Sequence, residues 1–186
     1  MVLLIDACVR TDSRTRRLAG AVLAKLGDDV ETVELYKENI PALDEELLEW
    51  RHLKCEALDF SDDYFRFARQ FAAADCVVIA APYWDLSFPA KLKDYIECIS
   101  INGLTFKYNE QGIPVGLCRA KKLVYVTTAG GPIIDDAFYF GYIAGLAKGM
   151  LGIKECELIK AEGLDIFGND PEAILAETIK SLQNKM

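Results

Sequence analysis

Short, dense apolar runs alternate along the chain with stretches in which apolar residues recur at helical spacing. Residues 2–5 are wholly apolar, the pattern of a strand buried on both faces. From Ser13 to Leu26, Leu18, Val22, Leu23 and Leu26 mark one face of an amphipathic helix, and Gly27 stands where a left-handed closing residue is wanted. Residues 30–35 alternate apolar and acidic positions, as a strand nearer a sheet edge does. A charged helix is predicted from Asp44 through Leu53. Ser61 is expected to cap another, with Phe60 and Phe65 placed as a hydrophobic staple. Residues 76–81 form the strongest strand signal, stopped by Pro82. A helix over 90–99, a strand over 123–126, a helix over 135–150 and a strand over 155–159 follow. Asp170-Pro171 opens a last helix that runs to about Leu182. Five strands separated by helices predict a parallel sheet covered on both faces. Residues 103–117, rich in glycine and aromatics, break the alternation and read as an inserted hairpin.

At 186 residues the chain suits a single domain with a core large enough to need no staples. Its longest apolar run, 76–82, is far too short to span a bilayer, and its first residues lack a basic export signal. A cytoplasmic protein is expected. Six cysteines without a C-x-x-C pair predict free, mostly buried thiols, and a single histidine, His52, leaves little for a metal centre or a catalytic triad. A net charge of −8 argues against nucleic acid. Yet Arg10, Arg14, Arg16 and Arg17 crowd together near the amino terminus, which suggests a small anionic ligand.

In such a sheet, ligands bind beyond the carboxyl ends of the strands, where strand order reverses. Three segments leaving those ends carry unusual residues. The first, Arg10-Thr11-Asp12-Ser13-Arg14-Thr15, opens a helix whose free N–H groups attract phosphate, with hydroxyls at Ser13 and Thr15 and charge at Arg10 and Arg14. Its plainer reading is a helix cap among solvated arginines. The second, Pro82-Tyr83-Trp84-Asp85-Leu86-Ser87-Phe88, sets three aromatics directly after a buried strand. A flat ring to stack against would explain them, as would packing beneath the next helix. The third, Thr127-Thr128-Ala129-Gly130-Gly131, lets backbone approach a ligand closely, although turns account for most Gly-Gly pairs. Together they make a phosphate grip, an aromatic wall and a polar backbone edge, suited to a mononucleotide with a large planar ring. Neither G-x-G-x-x-G nor G-x-x-x-x-G-K-[ST] occurs, so no Rossmann dinucleotide site or P-loop is expected.

These segments, in order and spacing, resemble the flavodoxin-like NAD(P)H quinone oxidoreductase and FMN-dependent azoreductase family. Residues 13–19 are similar to its phosphate loop, and 80–87 with 89–95 to its flavin-wall segment. Residues 103–108 with Gly112 are similar to its insertion, and 127–131 to its second flavin loop. The resemblance implies a flavodoxin-like doubly wound five-stranded parallel sheet with helices on both faces. It also implies a homodimer with FMN at the interface and hydride transfer from NADH or NADPH to a quinone, azo or nitroaromatic acceptor. The FMN contacts it implies are Ser13, Thr15, Pro82, Tyr83, Trp84, Asp85, Leu86, Gly130 and Gly131; Arg10, Arg14, Thr128 and Ala129 are expected to join them from the same segments. Phe106 and Tyr108 are implied to line the substrate pocket; the absence of a metal and of a membrane partner is expected from the residue inventory and the short apolar runs. Two departures stand out. Asp85 occupies a position where relatives often have Asn, so Asp85→Asn is expected to raise the flavin potential. Ala7-Cys8 stands where a serine is common, and Arg10 is expected to compensate.

Three rival readings remain at this stage. They are a flavodoxin-type carrier that reacts only with protein partners, a ligand-free signalling domain, and a sensor that holds FMN without turnover. The insertion favours an enclosed small-molecule site over the carrier. The signalling domain would want an acidic pair after the first strand, where Asp6 stands without a neighbour.

Overall fold

The computed structural model describes residues 1–183. Its main sheet contains β1 (Val2–Asp6), β2 (Val30–Glu34), β3 (Cys76–Ala80), β6 (Lys122–Thr128) and β7 (Glu155–Ala161). Every pairing in it is parallel, in the order β2-β1-β3-β6-β7. The remaining strands, β4 (Phe106–Tyr108) and β5 (Pro114–Gly116), form the expected antiparallel hairpin. From β1 the chain passes outward to β2 and then returns to the other side of β1 as β3. Strand order therefore reverses between β1 and β3, and the loops after these two strands flank that point.

Successive side chains on a strand face opposite ways, so each central strand feeds two cores. On one face, Leu4, Val78 and Val124 pack against α1 (Arg14–Leu26) through Leu18 and Val22, and against α6 (Pro171–Gln183) through Leu175. On the other, Leu3, Ile5, Val77, Ile79 and Tyr125 meet three helices. These are α3 (Arg66–Ala73) with Phe71, α4 (Ala90–Ile99) with Leu92 and Tyr95, and α5 (Phe140–Leu146) with Ile143. This double burial explains why the central strands are uninterrupted apolar runs. Helix α2 (Glu45–Glu56) buries no residue fully and lodges through Trp50, which stacks on Phe65 at 5.6 Å.

Four expectations need correction. Ser61 caps no helix: its hydroxyl donates to Asp59, and Asp62 accepts the N–H of Tyr64 at the head of a short 3-10 turn before α3. The aromatic contact nonetheless forms, with Phe60 edge-on to Phe65 at 5.4 Å. The helix expected over 135–150 is broken into a 3-10 turn, α5 and a π-helical turn. Tyr139 interrupts it by turning fully inward, its hydroxyl donating to Asp136. Gly27 closes α1 at φ 110° and ψ 178°, an extended positive-φ conformation rather than a left-handed one. All six cysteines are free thiols, but only Cys8 and Cys98 are fully buried. Among the described residues no helix is long and apolar enough to cross a membrane.

Candidate active site

The strand ladder continues beyond β1, β3 and β6. Ala7 N–H donates to Ala80 O, Ala81 N–H to Val126 O, and Tyr83 N–H to Thr128 O. These bonds bring the three singled-out segments to one end of the sheet. There they enclose a cleft of about 350 Å3, within the range of small-molecule and cofactor sites. Arg10, Ser13, Arg14 and Thr15 line one end, Pro82, Tyr83 and Trp84 one wall, and Thr128, Ala129 and Gly130 the facing edge. The lining stops beside Asp85, Leu86 and Gly131. Phe106 is buried in the hairpin and Tyr108 stands exposed on it, both away from this cleft.

At the phosphate-like end, Ser13 caps α1 by accepting the N–H of Arg16 at 3.3 Å, so the plain capping reading holds. It does not exhaust the loop. Among the described residues, the backbone N–H groups of Arg10 through Thr15 have no protein acceptor. Free N–H groups at a helix amino terminus suit an anion, and all of these residues except Thr11 line the cleft. The arginine cluster divides by role. Arg14 pairs with Asp165 at 2.8 Å, Arg16 with the buried Asp6, and Arg17 with Glu172. Arg10 is the member of this cluster without a carboxylate partner among the described residues, and it is exposed at the cleft. Burial pushes the Cys8 thiol up to about 12, against a smaller opposing effect of its bond with Ser13. The thiol is therefore neutral near pH 7 and adds no negative charge beside the free amides.

Along the wall, the aromatics serve two purposes. Tyr83 is half-buried and meets Tyr139 edge-on at 5.2 Å, while Phe88 tilts against Tyr142 at 5.8 Å. Both of these ring partners belong to α5 or its N-cap rather than to the next helix, α4. Trp84 remains 42% exposed at the cleft. Trp84 and Ser87 exchange backbone bonds of 3.0 and 2.7 Å around a two-residue turn, which sets Asp85 and Leu86 at φ 52° and 66°. Such angles suit Asn and Gly and cost an L-residue such as Leu about 1–2 kcal/mol. The turn leaves the N–H groups of Asp85 and Leu86 without protein acceptors among the described residues.

The facing edge is held by the next loop. Ala129, Gly130 and Gly131 carbonyls accept from Leu164, Asp165 and Gly163, while the N–H groups of Gly130 and Gly131 stay free among the described residues. A β-carbon on Gly130 would lie 2.4 Å from Asp165 Oδ2, so only glycine admits that carboxylate so closely. Val9, Asp12, Leu164 and Asp165 complete the lining; Asp12 lies within the first of the three segments, whereas Val9, Leu164 and Asp165 carry no signal in the sequence. Leu164 and Asp165 reach the cleft because β7 pairs with β6 to its last residue, a long-range register with no local signal.

The residues present fit FMN. The free amides at the head of α1 and Arg10 suit a phosphate, the exposed Trp84 suits a flat ring, and the free glycine amides suit carbonyl oxygens on that ring's edge. Comparison with known proteins agrees. An FMN-dependent NADH:quinone oxidoreductase 2 of Clostridium acetobutylicum is 42% identical over 166 residues, covering 87% of this chain and 82% of that one. An FMN-dependent NADH:quinone oxidoreductase of Clostridium perfringens is 39% identical, covering 82% and 77% respectively. The crystal structure of an azoreductase from Bacillus anthracis superposes with a TM-score of 0.83 at 27% identity, covering 100% of this chain and 99% of that one. A family model described as the flavodoxin-like fold matches residues 1–186, and the chain belongs to that family.

Proposed function

We propose that this protein is an FMN-dependent oxidoreductase that passes a hydride from NADH, by way of the flavin, to a small quinone or azo acceptor. The observation that carries this reading is the cleft that joins free amides at the head of α1 and Arg10 to an aromatic wall and a glycine edge. When bound, FMN supplies the two-electron chemistry that none of these side chains offers. The amides of Arg10 through Thr15 hold the phosphate, and Arg10 adds full charge. Tyr83, Trp84 and Pro82 fix the ring plane and keep water from one face. The N–H groups of Gly130 and Gly131 bind the ring's polar edge, and those of Asp85 and Leu86 border it from the turn.

The same reading includes a homodimer. Leu86, Phe138 and Tyr142 are exposed beside the cleft, an apolar surface that a second copy would cover. Phe106 and Tyr108, on the hairpin, are proposed to line the acceptor's pocket in that assembly, with nitroaromatics among the acceptors. Six free thiols suit the reducing cytoplasm. Steady-state oxidation of NADH, and separately of NADPH, with a water-soluble quinone tests the activity. Turnover that requires both FMN and the quinone is expected. Reduction of bound flavin without turnover on any small acceptor would favour a protein-partnered electron carrier instead.

A further inference from the structure

A loop whose N–H groups find no protein acceptor still has carbonyls that need donors of their own. Arg16 serves three of them, those of Cys8, Arg10 and Thr11. Its Nη2 donates to Cys8 O at 2.9 Å, and its Nη1 to Arg10 O at 2.7 Å and Thr11 O at 3.0 Å. Its Nε donates to Asp6 Oδ2, while Asp6 Oδ1 accepts the N–H of Cys8 at 2.8 Å. Asp6 is only 2% exposed and closes β1, so the network is anchored in the sheet. The guanidinium reaches four acceptors through its three nitrogens, which a point-like ammonium does not reproduce.

We propose that Arg16 is a positioning residue that shapes the phosphate end of the cleft from behind, without touching the phosphate. This rests on the FMN reading above and assigns the cluster's arginines distinct tasks. Arg10 attracts the anion, and Arg16 holds the backbone that receives it. Because Arg16 is matched by Asp6, the pair is close to electrically neutral, and its contribution is geometric rather than a net attraction for the dianion. The bond with Asp6 also raises the Arg16 pKa above its ordinary value, so the guanidinium stays charged.

The test compares FMN with riboflavin, which has the same ring and lacks the phosphate. Two variants are used: Arg16→Lys, which retains a cation for Asp6, and Asp6→Asn/Arg16→Met, which leaves no buried charge unpaired. Fluorescence titration of each apoprotein is expected to show FMN binding weakened about ten- to hundredfold, with riboflavin affinity within about twofold of wild type. Loss of both ligands in equal proportion would make Arg16 a general structural residue and overturn the proposal. Unchanged FMN affinity in both variants would overturn it as well. A wild-type protein that binds neither ligand would instead remove the FMN reading itself, which keeps the two failures distinct.

Discussion

Thr15 Oγ1 and Thr128 Oγ1 lie 2.6 Å apart, both buried, and join the first turn of α1 to the last residue of β6. This bond ties the loop that opens α1 to the loop that follows β6 across the end of the sheet. Thr15→Val keeps the shape but leaves the Thr128 hydroxyl unpaired, a cost of about 1–3 kcal/mol. Replacing both threonines by valine removes both polar atoms. Urea denaturation is expected to place the double variant closer to wild type than either single one.

Arg10 is the proposed charge on the phosphate, and it is exposed. Arg10→Ala is expected to weaken FMN about tenfold, to leave riboflavin unaffected and to flatten the salt dependence of FMN binding. Titrations at low and high ionic strength check all three, and intact FMN affinity would remove Arg10 from the site.

Gly130 and Asp165 share a space that cannot hold a β-carbon as well. Gly130→Ala is expected to push the Asp165 carboxylate off Arg14, costing about 1 kcal/mol or less for so exposed a pair. A double-mutant cycle with Asp165→Ala reads this directly. The two substitutions should be less than additive, because the second removes the atoms that the first collides with.

The buried thiols predict a specific pH response. Burial pushes Cys8 up to about 12 and Cys98 up to about 11 from the ordinary 9.0. Above pH 9 the unfolded chain releases these protons while the folded chain retains them, so stability falls as pH rises toward 11. The stabilisation is fully present below pH 9. Each thiol should contribute a slope on the order of 1 kcal/mol per pH unit in that window. Urea midpoints at pH 8, 9 and 10 should fall less steeply for Cys98→Ala than for wild type.

The sheet was readable because its central strands are buried on both faces, so residues 76–81 carry no polar position to confuse the pattern. The cleft was readable where local chemistry is unusual, at Arg10 through Thr15, Pro82 through Trp84, and Thr128 through Gly130. Other features are set by contacts between distant residues. Arg14 meets Asp165 across 151 positions and Arg17 meets Glu172 across 155, so no local motif shows which arginine stays free. The broken helix around Tyr139 has the same cause: burial against Tyr83 and Tyr125 overrides the local helical spacing.

The most direct test of the central claim is the visible spectrum of the purified protein after FMN addition and removal of excess, followed under anaerobic conditions by NADH. A bound flavin spectrum bleached by one equivalent of NADH and restored by a quinone is the predicted result. Protein that retains no FMN, or holds FMN that NADH leaves oxidised, would contradict the account.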